Sequence, residues 1–308
     1  MRFGVNILNF SDGATPESLL SRATTAESLG FHSALISDHV AITPGVRPRY
    51  PEPFYDVFTT LAWLAGQTSR IQLGTTVCVV PYRHPVLIAR MVANIDQLSG
   101  GRFIFGVGAG GAQDEFAVLG VPFNRRGAIT NEYLEIIHEL WAHEEVTYEG
   151  KFVTLDQVSG IKPFATGERV HPPVWVGGRS DAAMRRAVRF NADWHPNGMT
   201  AGWLRDQGVP RLHEIAIEMG GRLPTLVPRI KVALRDQAID GEARLLGQGS
   251  LDQVRGDLEL LDELGAEHVL FDWYIAGDME TARDDARAWR MLSLLAEQAI
   301  DLQNERLR

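Results

Sequence analysis

RIQLGTTVCVVPYRHPVLIARMVANIDQLSGGRFIFGVGAGG, residues 70–111, contains one complete strand–helix–strand unit. Residues 71–77 and 102–108 are short apolar runs without polar alternation, which is typical of parallel strands covered on both faces. Between them, apolar residues at 87, 88, 91, 92, 95 and 98 have helical spacing, and the segment ends in two glycines. The pattern predicts two parallel strands joined by a helix.

The same alternation continues through almost the whole chain. Further apolar runs predict strands at 2–8, 33–37, 173–178, 226–234 and 268–273, with a weaker one at 192–196. The first amphipathic segment between them has Thr15 as its N-cap, Pro16 at the first helical position and Gly30 as its stop. Eight strand–helix units predict an α/β fold, a (β/α)8 TIM barrel, with a doubly wound open sheet as the alternative.

One domain is expected over residues 1–308, because no composition break or Gly/Ser-rich linker divides the chain. The stretch 144–172 is longer than a simple strand–helix connection. It contains EVTYEG (145–150) and KFVTL (151–155), which predict a small hairpin inserted into the barrel.

Composition and charge exclude several classes of protein. The net charge is −9 and the chain has only three lysines, Lys151, Lys162 and Lys231, so no nucleic-acid partner is expected. No run of 18 apolar residues predicts a membrane span, and the first residues lack a signal-peptide pattern. The single Cys78 excludes an internal disulfide, and together these features predict a cytoplasmic protein. No His or Cys pair has metal-ligand spacing, so no metal is expected.

In such barrels the active site lies at the C-terminal ends of the strands. Asp38 and His39 follow the second predicted strand, where a histidine can exchange a proton with a substrate. The alternative is a strand-end pair that makes capping or surface hydrogen bonds. Trp194 and His195 belong to the weak strand at 192–196 and are candidates for the substrate pocket, with core packing as the alternative for the tryptophan.

Two glycine-rich segments follow other predicted strands. In PVWVGGRSDAAM (173–184), Gly177 and Gly178 end a strand and Ser180 is the expected N-cap of a helix, with Arg179 adding a positive charge. Backbone N–H groups and a helix N-terminus at this position predict a phosphate site, with a glycine turn that binds nothing as the alternative. The second segment, GVGAGG (106–111), lacks the acidic residue about 20 positions later that a dinucleotide-binding fold requires, so that fold is rejected.

Together these segments resemble the bacterial luciferase-like flavin and deazaflavin oxidoreductases, over nearly the whole chain. The resemblance rests on SDH (37–39), RIQLGTTV (70–77), RHPVLIARMVANIDQLSGGRFIFGVG (83–108), PFNRRG (122–127), EYLEIIHELW (132–141) and PPVWVGG (172–178). It implies a barrel with an insertion region, usually a homodimer, that binds FMN or the deazaflavin F420.

The resemblance also implies a role for individual residues. The cofactor phosphate would lie at Gly177 and Gly178, and the ring would pack on a bulge at Thr76–Val77, often with a non-proline cis peptide. His39 would take part in proton transfer at the ring, and Asp38 would orient His39 or bind the cofactor. The further cofactor contacts expected at the end of the fourth strand are Gly108, Ala109 and Gly110.

Three departures from related enzymes narrow the expectation. Gly111, in the substrate pocket, replaces a glutamate of the F420-dependent sugar-phosphate dehydrogenases, and NGMT (197–200) lacks their phosphate-binding lysines. Ala109 replaces an arginine that helps luciferase hold FMN. Glucose 6-phosphate is therefore not expected as the substrate. A pocket without lysine and with several aromatic residues favours an uncharged or weakly polar organic molecule.

The sequence thus predicts an F420-dependent oxidoreductase that transfers a hydride between the deazaflavin and a small organic substrate. A separate reductase would supply the reduced cofactor. One alternative is an FMN-dependent monooxygenase that uses reduced flavin and O2. Another is a non-catalytic relative that only binds the cofactor.

Overall fold

The computed structural model describes residues 1–167, 169–275 and 277–308. Its centre is a barrel of eight parallel strands, in which the first six strands pair in chain order, the seventh pairs with the eighth and the eighth pairs with the first. The strands are β1 (Arg2–Ile7), β2 (Ser33–Ile36), β3 (Gln72–Thr75), β4 (Phe103–Gly108), β5 (Val174–Gly177), β6 (Asp193–His195), β7 (Arg229–Lys231) and β8 (His268–Asp272).

The barrel closes between β6 and β7 through single hydrogen bonds rather than a regular ladder. The Val227 N–H donates to the Trp194 carbonyl oxygen at 2.9 Å, and the Arg229 N–H donates to the Pro196 carbonyl oxygen at 2.9 Å. The prediction of a (β/α)8 barrel is confirmed, and the open doubly wound sheet is excluded because the first and last strands pair.

Helices surround the barrel in the described part of the chain. They are α1 (Pro16–Leu29), α2 (Val57–Ala65), α3 (Pro85–Leu98), α4 (Gln113–Val118), α5 (Arg126–Ala142), α6 (Asp181–Arg189), α7 (Ala201–Trp203), α8 (Val209–Met219), α9 (Leu251–Glu263), α10 (Met279–Arg283) and α11 (Asp285–Gln298). Shorter helical turns cover Val80–Tyr82, Phe123–Arg125 and Leu204–Gly208. Within these described elements, none has the length and apolarity that crossing a bilayer requires.

The first helix begins and ends at the predicted residues. The Thr15 side chain accepts a hydrogen bond from the Ser18 backbone N–H, Pro16 occupies the first turn, and Gly30 adopts a φ of 90° after the last turn. A φ in this range is open to glycine without a Cβ clash. Local sequence signals therefore determine where α1 starts and stops.

The predicted insertion is present as an antiparallel hairpin, but its second strand, expected at 151–155, begins at Thr154. Glu145–Glu149 pairs with Thr154–Ser159, and the buried Glu132 carboxylate accepts hydrogen bonds from three backbone N–H groups at the turn. Glu168, within the same predicted stretch, lies outside the described residues. The two-residue strand Cys78–Val79 continues the barrel sheet beyond β3 by pairing with Val107 and Gly108 of β4. Two further short strand pairs lie outside the barrel sheet, Ala233–Leu234 with Gln248–Gly249 and Ile300–Asp301 with Arg306–Leu307.

The interior of the barrel changes from apolar to polar toward the mouth. Leu35, Ile104, Trp175, Val227 and Leu270 form a separate apolar cluster. Side chains two positions further along a strand point to the same face. The layer above this cluster is polar and buried, and it contains Asn6, Ser37, Thr76, His195, Arg229 and Asp272. This polar layer is the floor of the site described next.

Candidate active site

His39 lies at the mouth of the barrel, shortly after the end of β2, and its ring is held by Glu115. His39 Nδ1 lies 2.8 Å from Glu115 Oε2. Because an ionised carboxylate only accepts hydrogen bonds, Nδ1 carries the hydrogen and Nε2 is the ring nitrogen left for another partner. The His39 side chain is 17% exposed, whereas that of Glu115 is completely buried. The structure therefore presents an oriented imidazole at the mouth.

Glu115, on α4, is surrounded by donors. Its Oε1 accepts from the backbone N–H groups of Val40 at 2.5 Å and Ala41 at 2.9 Å, and its Oε2 accepts from the Tyr82 hydroxyl at 2.8 Å. Burial alone would raise the pKa of Glu115, but the hydrogen bonds from His39 and the two N–H groups outweigh burial and lower that pKa. Glu115 is therefore ionised at neutral pH. Sequence reasoning missed this residue, because nothing local to α4 indicates its contact with the loop after β2.

Aromatic rings enclose the other side of His39. Its ring centroid lies 4.6 Å from that of Tyr50 and 5.5 Å from that of Phe54. Tyr50 also contacts Phe10, at 5.2 Å, and Tyr274, at 6.1 Å. These rings come from the segments that follow β1, β2 and β8, and they give the mouth an apolar wall beside the histidine.

The structure corrects the expected role of Asp38. Its Oδ2 accepts from the Val79 N–H at 2.9 Å and from Arg83 at 2.8 Å, and its Oδ1 accepts from the other end of the same guanidinium at 2.9 Å. Arg83 also pairs with Asp56 at 2.9 Å. Asp38 is completely buried in this ion pair. Both of its oxygens are engaged by Arg83 and Val79, so it anchors the end of β2 instead of orienting His39.

The Thr76–Val77 peptide bond follows β3 and is cis, as the family resemblance implies. The Val77 side chain lies across two glycines of the neighbouring strands. A Cβ added to Gly108 would lie 2.7 Å from Val77 Cγ2, and one added to Gly177 would lie 2.9 Å from Val77 Cγ1. Because no side chain fits at either glycine, Val77 and the bare backbone beside it form a smooth apolar platform at the mouth.

Polar groups of the barrel interior hold Thr76 in place. Arg229 Nη1 donates to the Thr76 carbonyl oxygen at 2.7 Å, and the Thr76 Oγ1 lies 2.9 Å from His195 Nε2. His195 Nδ1 lies 2.5 Å from the Val227 carbonyl oxygen, which can only accept. His195 therefore carries its hydrogen on Nδ1 and accepts from Thr76 at Nε2. The predicted pocket residue His195 is thus part of the buried support of the platform.

Burial lowers the pKa of His195 to about 4, and the Arg229 charge acts in the same direction. Burial, with the neighbouring His171, also lowers the pKa of His138 to about 4. In the unfolded chain both histidines become protonated below about pH 6.5, whereas in the folded chain they stay neutral down to about pH 4. The free energy of unfolding is therefore expected to fall as the pH drops through this window, by up to about 1.4 kcal/mol per pH unit for each histidine.

Urea unfolding between pH 7 and pH 5 measures this dependence. His138→Phe is expected to reduce the slope, because His138 Nε2 has no hydrogen-bond partner among the described residues and its ring already packs against Phe190 at 5.6 Å. The matched control is His143→Phe, at a side chain that is 60% exposed, which should leave the slope unchanged. An unchanged slope in His138→Phe would contradict the prediction.

A cavity of about 300 Å³ lies between the platform and the N-terminus of α6. Arg126 and Arg186 line it, and neither was predicted. Its lining includes nine residues that the sequence predicted, namely Thr76, Val77, Gly108, Ala109, Gly110, Gly177, Gly178, Ser180 and His195. The structure therefore brings the two predicted glycine segments and the platform together in one cavity.

Both arginines of this cavity lack a carboxylate partner within the part of the chain that the structure describes. Arg186 donates to the side-chain oxygen of Asn131 at 2.8 Å and to the Gly127 carbonyl at 3.3 Å, and it is buried. Arg126 donates to the Phe123 carbonyl at 3.1 Å. Burial, with the nearby Arg189, lowers the pKa of Arg186. Two cations without an anion, beside a helix N-terminus, form a site for an anionic group.

Three other predicted residues lie outside this cavity. Arg179 turns away, donates to the Gly198 carbonyl at 2.8 Å and lies over the Trp203 ring. Trp194 is fully buried and donates to the Gly178 carbonyl at 2.8 Å, because neighbours along β6 point to opposite faces and His195 takes the interior one. The structure thus corrects the roles predicted for Arg179 and Trp194. Gly111 is exposed, and a Cβ placed there would contact nothing within 4 Å.

A charged group lies at the ends of β7 and β8. The Asp272 carboxylate accepts from Arg229 at 2.5 Å and from Lys231, while its Oδ1 accepts from the Asn6 amide at 3.1 Å and the Tyr274 N–H at 3.0 Å. Burial would raise the pKa of Asp272, but the two cations hold it well below its ordinary value. Lys231 lies at the mouth, so the expectation of a mouth without lysine is corrected. The sequence contained one signal for this group, namely the charged residues Arg229, Lys231 and Asp272 within or at the end of otherwise apolar runs.

Comparisons with known proteins agree with the family resemblance seen in the sequence. A family model described as luciferase-like monooxygenase matches residues 1–288. An F420-dependent glucose-6-phosphate dehydrogenase of Nakamurella multipartita is 31% identical over 291 residues, which is 92% of this chain and 71% of the relative. An uncharacterized protein of Mycobacterium tuberculosis is 33% identical over 310 residues, 94% of this chain and 96% of the relative. The structure of the monooxygenase RslO1 from Streptomyces bottropensis superimposes with a TM-score of 0.74 at 22% identity, covering 96% of this chain and 98% of that one.

Proposed function

Because this chain belongs to the luciferase-like monooxygenase family, whose model matches residues 1–288, we propose that it is an F420-dependent oxidoreductase. It would transfer a hydride between the deazaflavin and a small organic substrate. The observation that carries the proposal is the placement of His39, which is oriented by the buried Glu115 and partly exposed at the barrel mouth. The 31% identical F420-dependent dehydrogenase supports the choice of cofactor.

The residues at the mouth fit a flat ring with an anionic tail. Gly108 and Gly177 leave the backbone bare beside Val77, so a planar group can lie against this platform. Arg126 and Arg186 line the adjoining cavity without carboxylate partners in the described part of the chain, and they would hold the negative charge of the tail. The chemistry of this donor set therefore agrees with either F420 or FMN, and the related dehydrogenase favours F420.

The protein's contribution to catalysis is orientation and proton transfer. A deazaflavin held at this platform would supply the hydride chemistry. His39 Nε2 would accept the proton of a substrate hydroxyl or return it in the reverse direction. The Glu115 carboxylate beside Nδ1 stabilises the imidazolium that this transfer creates. The Thr76–Val77 platform, held by Arg229 and His195, would fix the distance between the reacting groups.

Titration of the purified protein with F420 and with FMN, followed by ligand fluorescence and absorbance, tests the proposal. Tighter binding of F420 is expected, followed by cofactor reduction when a panel of alcohols and other small organic substrates is added. Tighter binding of FMN with oxygen consumption would instead support the monooxygenase alternative. Binding of F420 without turnover of any substrate would support the non-catalytic one.

Arg186→Met is expected to weaken F420 binding about 10- to 100-fold. The reason is the loss of a charge-assisted hydrogen bond from a partly desolvated guanidinium to the anionic tail, worth about 1.5–3 kcal/mol. The dissociation constant from fluorescence titration checks it. Arg185→Met is the matched control, since Arg185 is the preceding residue of α6 and forms a surface ion pair with Glu218. If Arg186→Met and Arg185→Met bound F420 equally tightly, Arg186 would not hold the anionic tail of the cofactor.

A further inference from the structure

The charged group at the ends of β7 and β8 has more positive than negative charge. Arg229 and Lys231 both form their ion pair with the single carboxylate of Asp272. Both oxygens of that carboxylate are already engaged, since Oδ1 accepts from Asn6 and Tyr274. Two cations facing one anion leave one positive charge in excess. An excess charge in a largely desolvated site is costly unless an anion compensates it.

Lys231 is the member of this group that reaches the mouth. Its side chain is 23% exposed, compared with 10% for Arg229 and none for Asp272. Besides Asp272, Lys231 Nζ donates to the Tyr274 carbonyl oxygen at 2.6 Å. An ammonium group has three donors. The described contacts therefore leave one N–H of Lys231 for a group that enters the mouth.

An apolar aromatic wall separates Lys231 from His39. Lys231 Nζ lies 5.5 Å from the centre of the Tyr274 ring, and the Tyr274 and Tyr50 ring centroids lie 6.1 Å apart. Tyr50 in turn lies 4.6 Å from the His39 ring. The proton-transfer group and the free ammonium donor thus lie at opposite ends of one aromatic surface. Flat apolar molecules pack well on such rings.

We infer that the substrate is an organic carboxylate with a flat apolar body, bound with its carboxylate at Lys231 and its reacting carbon toward His39. The inference rests on the proposed function, because His39 and the Thr76–Val77 platform define where the reaction takes place. A carboxylate matches the excess positive charge and accepts from the remaining Lys231 N–H. The aromatic wall accommodates the body between the two ends.

Benzoate and benzamide are suitable probes, because they share one ring and differ in charge. Their dissociation constants are measured by calorimetry on the wild-type protein, without cofactor and loaded with F420. Wild type is expected to bind benzoate at least about tenfold more tightly than benzamide. Lys231→Met should bring the two affinities to within about twofold, because the remaining Arg229–Asp272 pair is neutral. Lys231→Arg should keep the preference.

Lys151→Met is the matched control, since this exposed lysine lies in the hairpin insertion, and it should retain the wild-type preference. Equal binding of both probes by wild type, no benzoate binding, or a preference that survives in Lys231→Met would each overturn the inference. The F420 titration on the same samples separates the two proposals. A Lys231-dependent preference in a protein that does not bind F420 refutes the cofactor, whereas F420 binding without that preference refutes only the substrate class.

Discussion

His39→Asn is expected to lower the turnover number of the F420-loaded enzyme about 10²- to 10⁴-fold, with F420 affinity retained. General acid–base catalysis contributes about this much when one positioned side chain carries the proton. Asparagine keeps a donor near Glu115 Oε2, so the buried carboxylate is not left without a partner. Steady-state kinetics with a substrate found in the panel, together with fluorescence titration of F420, measure the two quantities separately.

The control for this substitution is His143→Asn. The His143 side chain is exposed, directly follows α5 and is not among the residues found at the mouth. It should behave as wild type in both measurements. Turnover unchanged in His39→Asn would refute the proton role and leave His39 as part of the aromatic wall with Tyr50 and Phe54. Loss of F420 binding in this variant would place His39 in the cofactor site instead.

Asp272→Asn is expected to lower the free energy of unfolding by about 3–5 kcal/mol. The substitution leaves Arg229 and Lys231 in a desolvated site without their carboxylate, and breaking a buried ion pair by removing one partner has a cost of this size. Urea denaturation of the cofactor-free protein measures it. Weaker F420 binding is also expected, since Arg229 connects Asp272 to the carbonyl of Thr76 in the platform.

Two further variants test whether this loss of stability comes from the buried charges. Asp206→Asn removes a carboxylate whose pair with Arg205 is more than half exposed, and it should change the free energy of unfolding by less than about 0.5 kcal/mol. Adding Arg229→Met and Lys231→Met to Asp272→Asn removes the uncompensated charges, while the introduced amide oxygen can still accept from Asn6 and Tyr274, and this variant should recover part of the lost stability. If Asp272→Asn were as stable as Asp206→Asn, the buried charge group would not contribute to folding.

Most of the fold could be predicted from the sequence. All eight barrel strands lie within the apolar runs, and α1 starts and ends at its predicted capping residues. These signals are local, because a strand buried on both faces needs a continuous apolar run and a helix end needs particular residues within a few positions. The first strand of the inserted hairpin was visible for the same reason, whereas its second strand was expected at 151–155 and lies at Thr154–Ser159.

The candidate site was predicted less completely. His39, the Thr76–Val77 platform and the glycines at 177 and 178 were found because they follow strands and match a family pattern. The Asp38 and Arg179 side chains turn to partners that strand-end position alone does not reveal, namely Arg83 and the Gly198 carbonyl. Arg126 and Arg186, which line the cavity beside the platform, were missed because helix surfaces carry many arginines that bind no ligand.

By itself, the sequence determined the order of strands and helices, the closed barrel that this order favours, and the strand ends at which functional side chains would lie. Only the tertiary structure decided which charges meet. Glu115 reaches His39 across 76 residues, and Arg229 reaches Thr76 across 153. Apolar periodicity records which face of an element is buried, but the partner of a buried charge depends on how distant strands and helices pack together. That packing made Glu115, rather than the adjacent Asp38, the residue that orients the histidine.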